Sequence, residues 1–315
     1  MPENASPTRR SRSLRRATGA AVLLTLAGYV GVQHITDRGA PHCVVRAGAG
    51  TGGPSYALST EQAANAATIA AVGTTRGMPE RAVTIALATA LQESSLRNIS
   101  HGDRDSLGLF QQRPSKGWGT TAQILDPVYS AGIFYDRLAE VPGYSRLPLT
   151  EAAQRVQRSG FPQAYAKHET NSALLAAALT GRAGAALTCV PDGNAGPGNP
   201  DRVRAELVRA FGPGVLPGRA GAAGSPAARE FTVPVSSART GKSPDEAGKR
   251  GRQLAHWAMA RADGLRIDEI SYGDRIWSAD RTGEGWRKSA GARPAGGAER
   301  DPAGSAPVVQ LRIAH

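Results

Sequence analysis

Pro79-Glu80-Arg81-Ala82-Val83-Thr84-Ile85-Ala86-Leu87-Ala88-Thr89-Ala90-Leu91-Gln92-Glu93-Ser94-Ser95 is the stretch from which the rest of the chain can be read. Pro79 suits the first position of a helix, because its φ is fixed near the helical value and its missing N–H would have no partner there. Val83, Ala86, Leu87, Ala90, Leu91 and Ser94 recur at the spacing of one buried helical face. Glu93 falls about 60–80° from the centre of that face, on its border. It also lies in the last turn, where unpaired carbonyls make the helix end partially negative. Both surroundings disfavour an ionised carboxylate and push its pKa up, which a proton donor to a leaving glycosidic oxygen requires. Taken alone, the same residue reads as an ordinary exposed glutamate at a helix end, so the segments that follow it decide the matter.

Three pieces follow in order: the Glu93-Ser94 pair, then Ser106-Leu107-Gly108-Leu109-Phe110-Gln111, then Leu125-Asp126-Pro127 with Ala131-Gly132 and Tyr135. In this order they resemble the lytic transglycosylases and goose-type lysozymes, lysozyme-like enzymes that cut the glycan strand of bacterial peptidoglycan. The resemblance covers about 120 residues. It implies Glu93 as catalytic acid, and Ser94, Ser106, Gly108, Phe110 and Gln111 along the sugar subsite. The family's late Ala-Tyr-Asn-Ala-Gly segment is met only by Ala164-Tyr165-Ala166-Lys167, so Tyr165 carries over without the Asn and Gly. Its plainer reading is a ring packed in the core with the hydroxyl at the surface.

On that resemblance the reaction is cleavage of the bond between N-acetylmuramic acid and N-acetylglucosamine. No second carboxylate stands out as a nucleophile, so the substrate's own N-acetyl group would stabilise the cationic centre. Asp103 and Asp105 complicate this, since goose-type lysozymes hold water-orienting aspartates downstream of their acid; the plainer reading of His101-Gly102-Asp103-Arg104-Asp105 is a solvated loop. Peptidoglycan glycan strands are the expected partner, and no cofactor is expected. The alternative is a membrane-tethered scaffold that binds the wall without cutting it.

The chain has 315 residues, 40% of them apolar, a formal charge of +12, 38 Gly and 21 Pro. So basic a chain invites a nucleic-acid reading. Residues 55–175, however, hold eleven Lys/Arg against ten Asp/Glu, so the excess sits in the tails and connectors, and no nucleic-acid partner is expected. A basic envelope protein would be drawn instead to anionic wall polymers and lipid headgroups.

Residues 1–16 form an arginine-rich tail, and Ala17 to Gln33 is an uncharged apolar stretch. A signal anchor or transmembrane helix at 17–34 follows, with a cleaved signal peptide as second choice; either places the body outside the cytoplasm, as a single-pass membrane protein or a secreted one. Cys43 and Cys189 bracket the lysozyme-like region, and a disulfide between them suits an oxidising compartment.

The order expected is a connector at 35–54, a helical lysozyme-like domain at 55–189, a Gly/Pro/Ala-rich linker at 190–239 and a small α/β domain at 240–315. The fold class is therefore mainly α, with one small α/β domain and an N-terminal transmembrane helix. Ser59-Thr60-Glu61-Gln62 is a capping box opening a helix to about Arg76. Asp126 caps a helix begun by Pro127, Thr150 begins another, and Ser172 to Leu179 reads as a fifth. In the linker, Asn199-Pro200 opens a helix that Gly212 stops.

Beyond it, Ser243-Pro244 starts a helix, Gly273-Asp274 turns a hairpin, and Val309, Leu311 and Ile313 alternate as a last strand. Ala255-His256-Trp257-Ala258, Tyr272-Gly273-Asp274-Arg275-Ile276-Trp277 and Gly285-Trp286-Arg287 resemble a small domain appended to actinobacterial secreted wall hydrolases. Some relatives end in a His-x-His strand that suggests a metal site; here the strand reads Val308-Val309-Gln310-Leu311-Arg312-Ile313, and no metal is expected. Trp257, Trp277 and Trp286 read as core more readily than as sugar-stacking platforms.

Overall fold

A computed structural model describes residues 40–48, 52–158, 162–193, 196–216, 229–235, 244–289 and 308–315. The arginine-rich tail and the apolar stretch at 17–34 lie outside the described residues. So does most of the linker between α7 and the next strand. Met1–Ala40 separates from a second unit, Pro41–His315, which the rest of the description concerns.

The caps written in the sequence form as expected. Ser59 Oγ accepts from the Gln62 N–H at 3.2 Å while Gln62 Oε1 accepts from the Ser59 N–H at 2.8 Å, opening α1 (Thr60–Thr75). Pro79 is the residue before α2 (Glu80–Ser94) rather than its first. After α3 (Thr121–Ile124), Asp126 accepts from the Val128 and Tyr129 N–H groups at the start of α4 (Pro127–Ala139). The helices α5 (Leu149–Gln157) and α6 (Glu169–Leu179) follow, joined through a 3₁₀ segment at Pro162–His168. Asn199 caps α7 (Pro200–Phe211), and Gly212 ends it at φ 79°. The long α8 (Pro244–Leu265) completes the set.

Every residue of α2 from Ala82 to Leu91 is buried, so the helix has no solvent face over most of its length and forms the axis of the core. The single buried stripe expected from periodicity is too narrow. Alanine and threonine fill the positions between its large residues, and such small side chains let neighbouring helices close in on all sides. Gly73 and Gly132 do the same for α1 against α4: a Cβ on Gly73 would stand 2.6 Å from the Tyr135 ring, and one on Gly132 2.7 Å from the Arg76 guanidinium. The Tyr135 hydroxyl there donates to Ile69 O at 3.0 Å.

The expectation of a mainly α protein is overturned. The fold is mixed α/β with two antiparallel sheets. The first has the order β2-β1-β3, made of β1 (His42–Arg46), β2 (Ser55–Ser59) and β3 (Leu187–Val190). Cys43 faces Cys189 across β1 and β3, and the two are joined in a disulfide spanning 146 residues. The second sheet runs β4-β8-β5-β6-β7. Its strands are β4 (Glu230–Pro234), β5 (Ile267–Tyr272), β6 (Arg275–Ser278), β7 (Arg287–Lys288) and β8 (Val308–Ile313). The first sheet was missed because strands of four or five residues carry too little alternation, and their pairing depends on segments far apart in sequence. Among the described residues no helix is long and apolar enough to cross a membrane, and the stretch at 17–34 expected to do so lies outside them.

The helix α8 serves both halves of the unit. It buries Trp257, whose ring meets Phe211 of α7 edge-on with centroids 5.8 Å apart, and Trp257 and Trp277 both belong to the core as read. Toward the helical half it makes specific polar contacts. Arg252 Nε donates to Gly181 O at 2.6 Å, Thr60 Oγ1 donates to Asp263 Oδ2 at 2.9 Å, and His256 Nδ1 lies 2.7 Å from Ala178 O.

Candidate functional site

The site begins where α2 stops. Ser95 and Leu96 both adopt the left-handed conformation, at φ 54° and 60°, although neither is glycine. Two such residues in succession are costly and persist only where surroundings hold them. Here α1 supplies the hold: Asn65 Nδ2, buried, donates to Leu96 O at 2.8 Å, and Gln62 Nε2 donates to Ser95 O at 2.7 Å. Gln62, which helps start α1, thus fixes with Asn65 the exit from α2, and with it the direction of Glu93.

The loop after this turn is pinned from three sides. Ser94 Oγ donates to Leu109 O at 2.7 Å, Asn98 Nδ2 donates to Leu125 O at 2.7 Å, and the buried Gln112 Nε2 donates to Ser130 O at 3.0 Å. Leu107 and Gln112 exchange backbone hydrogen bonds around the tip. Gly108 sits in that tip at φ 73°, and a Cβ there would come within 2.7 Å of Ile124 O, so its place requires glycine on both counts. Phe110 is fully buried and stacks on Phe134 with ring centroids 4.6 Å apart.

Glu93 and Tyr165 come together. The tyrosine ring is fully buried and its hydroxyl donates to Glu93 Oε1 at 2.7 Å. Tyr165 arrives on the 3₁₀ segment, whose end is tied to α2 by His168 Nε2 at 3.1 Å from Gln92 Oε1. Burial pushes the Glu93 carboxyl above its ordinary value, against smaller opposing effects of hydrogen bonds from Tyr165 and Gln157. Gln157, the last residue of α5, also donates through Nε2 to Phe110 O at 2.6 Å, so one amide braces both the loop and the acid. The expected location of Glu93 at a helix end, half-buried and with a raised pKa, is what the structure has.

Other expected site residues are placed differently. Ser94 and Ser106 are buried, and the Ser94 hydroxyl is committed to backbone carbonyls; Phe110 lies in the core. These residues shape the loop. Gln111 is half-exposed in a left-handed conformation at φ 48°, its amide 3.3 Å from Gly108 O and its Oε1 close over Gly102. Asp103 is exposed, near Arg104 at 4.0 Å. Asp105 accepts from Arg113 Nε at 2.7 Å and from the Ser115 N–H at 2.9 Å, and hydrogen bonds from Ser115 and Arg113 hold its carboxyl well below the usual range. Its charge is tied to the loop.

A cleft of about 850 Å³ is lined among others by Gln111, Trp118, Val156 and Gln157; Glu93 is not part of its lining and meets it through Gln157. Gln111 and Gln157 connect it to the Glu93 loop. Gln157 was not singled out from sequence; a glutamine ending an amphipathic helix carries no signal of its own until the fold sets it against the acid.

A family match falls at the far end of the chain. A family described as "VldE, C-terminal domain" matches residues 228–296, less than a quarter of the chain and distant in sequence from Glu93. No curated protein matches the chain.

Proposed function

We propose that the protein cleaves peptidoglycan glycan strands, with Glu93 as general acid and then base. The observation that carries the reading is the Glu93–Tyr165 pair: a half-buried carboxyl with raised pKa, oriented by a 2.7 Å hydrogen bond from a fully buried tyrosine and joined through Gln157 to a cleft. Burial keeps the proton on Glu93 at higher pH than an exposed glutamate allows, and the tyrosine fixes which oxygen faces the substrate. Glu93 gives its proton to the glycosidic oxygen as the C1–O bond breaks, and the substrate's N-acetyl group stabilises the positive charge at C1. The Glu93 carboxylate then takes the proton of the muramic 6-hydroxyl as that oxygen bonds to C1. The products are a free 4-hydroxyl and a 1,6-anhydro ring, with no water consumed. The ion-paired Asp105 favours this outcome over hydrolysis, because its carboxylate is committed to Arg113 and the Ser115 N–H.

The disulfide agrees with a place outside the cytoplasm, where such a substrate lies. The test is release of dye from labelled peptidoglycan by the full chain: the wild type releases it, Glu93→Gln does not. Equal release by both would overturn the reading.

A further inference from the structure

The cleft joined to Glu93 through Gln157 carries far more charge than a neutral sugar strand needs. Arg113, Lys116, Arg137, Arg155 and Arg158 line it, with Glu140 as the acidic residue among them. Asp105 pairs with Arg113 at 2.7 Å and Glu151 with Arg155 at 2.6 Å, which neutralises two of the five. Among the described residues, Lys116, Arg137 and Arg158 have no carboxylate within ion-pair distance. Arg137 is held in place by other means: its guanidinium lies 3.5 Å over the Trp118 ring and donates to Gly117 O at 2.7 Å. Glu140 and Arg158 both act on the Arg137 charge, the carboxylate favouring it more than the second guanidinium opposes it. The lining holds five cations against one carboxylate of its own, and an anion bound there would lower the energy of the cluster. The surrounding region, residues 55–175, is nearly neutral overall, so the cluster is a local feature.

We propose that this cleft holds the carboxylates of the peptides borne by the glycan strand, so that the protein prefers peptide-bearing glycan to bare glycan. The assignment rests on the reading of Glu93 as an acid toward that strand. Gln157 and Gln111, at the junction of cleft and acid loop, set the distance between the two. A neutral disaccharide would be bound through amides and aromatic faces; Lys116 and Arg158, without a carboxylate of their own, suit anionic substituents along the strand. Accessory wall phosphates share that chemistry, and the test separates them.

The experiment uses Glu93→Gln, so that binding is read without cleavage, in a pelleting assay at low salt with three preparations. One is wall stripped of phosphate polymers by acid with its peptides retained, the second is the same wall after an amidase has removed the peptides, and the third retains its phosphate polymers. Binding to the first should exceed binding to the second by about fivefold, the worth of two exposed ion pairs, and the ratio should shrink as salt rises. Adding Lys116→Gln with Arg158→Asn should bring the ratio close to one, while Arg46→Gln, outside the cleft, should leave it unchanged. Lys116→Gln alone, at an exposed position, guards against misfolding and should reduce the ratio by about half as much on a logarithmic scale. An unchanged ratio in the double variant, or equal binding of the first two preparations, overturns the proposal. Binding confined to the third assigns the cleft to phosphate and overturns it as well. Failure of the wild type to cut the wall, with the peptide-dependent ratio intact, would sink the reading of Glu93 alone.

Discussion

Replacing Cys43 and Cys189 together by alanine tests how the helical half is closed. The bridge joins residues 146 apart, which are opposed on the central strand β1 and its neighbour β3. In the chain-entropy account, removing a cross-link of that span frees the unfolded chain by about 5 kcal/mol at 25 °C. Both cysteines are fully buried, so loss of two sulfur atoms from the core adds to the cost. A domain's whole stability is about 5–15 kcal/mol, so the variant should lose a third of it or more. Equilibrium denaturation in guanidinium, with and without reductant, is the assay. The alanine pair should unfold at markedly lower denaturant than the oxidised wild type, and reductant should move the wild type toward the variant. A difference below about 1 kcal/mol would refute the argument, showing that the two sheet ends stay together without the link or that the unfolded chain gains little freedom from losing it.

Four further outcomes are expected. Asn65→Ala removes the buried donor to Leu96 O and should cost about 1–3 kcal/mol in denaturation, with loss of cleavage from misdirection of Glu93; unchanged stability and activity would refute the clamp. Gly108→Ala places a side chain at φ 73° and 2.7 Å from a carbonyl oxygen. It should cost at least about 1–2 kcal/mol, read as a fall in melting temperature, and no fall would mean that the loop tip is more pliant than described. Glu93 favours its protonated form in the folded state, so the native protein binds more protons than the unfolded chain from pH near 4.5 up to the raised pKa, and stability falls as pH rises through that window. Glu93→Gln should therefore gain stability relative to wild type at pH 7 but not at pH 4; a gap of the same size at both pH values would contradict the shift. Tyr165→Phe removes a hydrogen bond that opposes the shift, so the alkaline limb of the pH–activity profile should move to higher pH while turnover falls; a shift to lower pH would contradict the assigned geometry.

What could be read from the sequence was local. The Ser59–Gln62 box, Asp126-Pro127, Asn199-Pro200 with Gly212, and the Gly273-Asp274 turn are caps and turns whose residues act on their own backbone, and each appears where the residues put it. The half-buried place of Glu93 at the end of α2 was legible for the same reason, since helix position and apolar border are local properties. Missed features depend on distant partners. The strand His42–Arg46 pairs with Leu187–Val190, and Glu230–Pro234 joins the second sheet by pairing with Val308–Ile313 from a stretch read as linker. Asn65 and Gln157 likewise look like ordinary polar helix residues until the fold brings one to the strained turn at Leu96 and the other to Phe110 and Glu93.

The most direct measurement is mass spectrometry of the soluble fragments released from purified peptidoglycan by the wild type and by Glu93→Gln. The wild type should yield muramic ends lighter by one water, the mark of the anhydro ring, and Glu93→Gln should yield none. Reducing ends in their place would move the reaction to hydrolysis and return Asp103 or Asp105 to the mechanism, and the same fragments from both proteins would contradict the role given to Glu93.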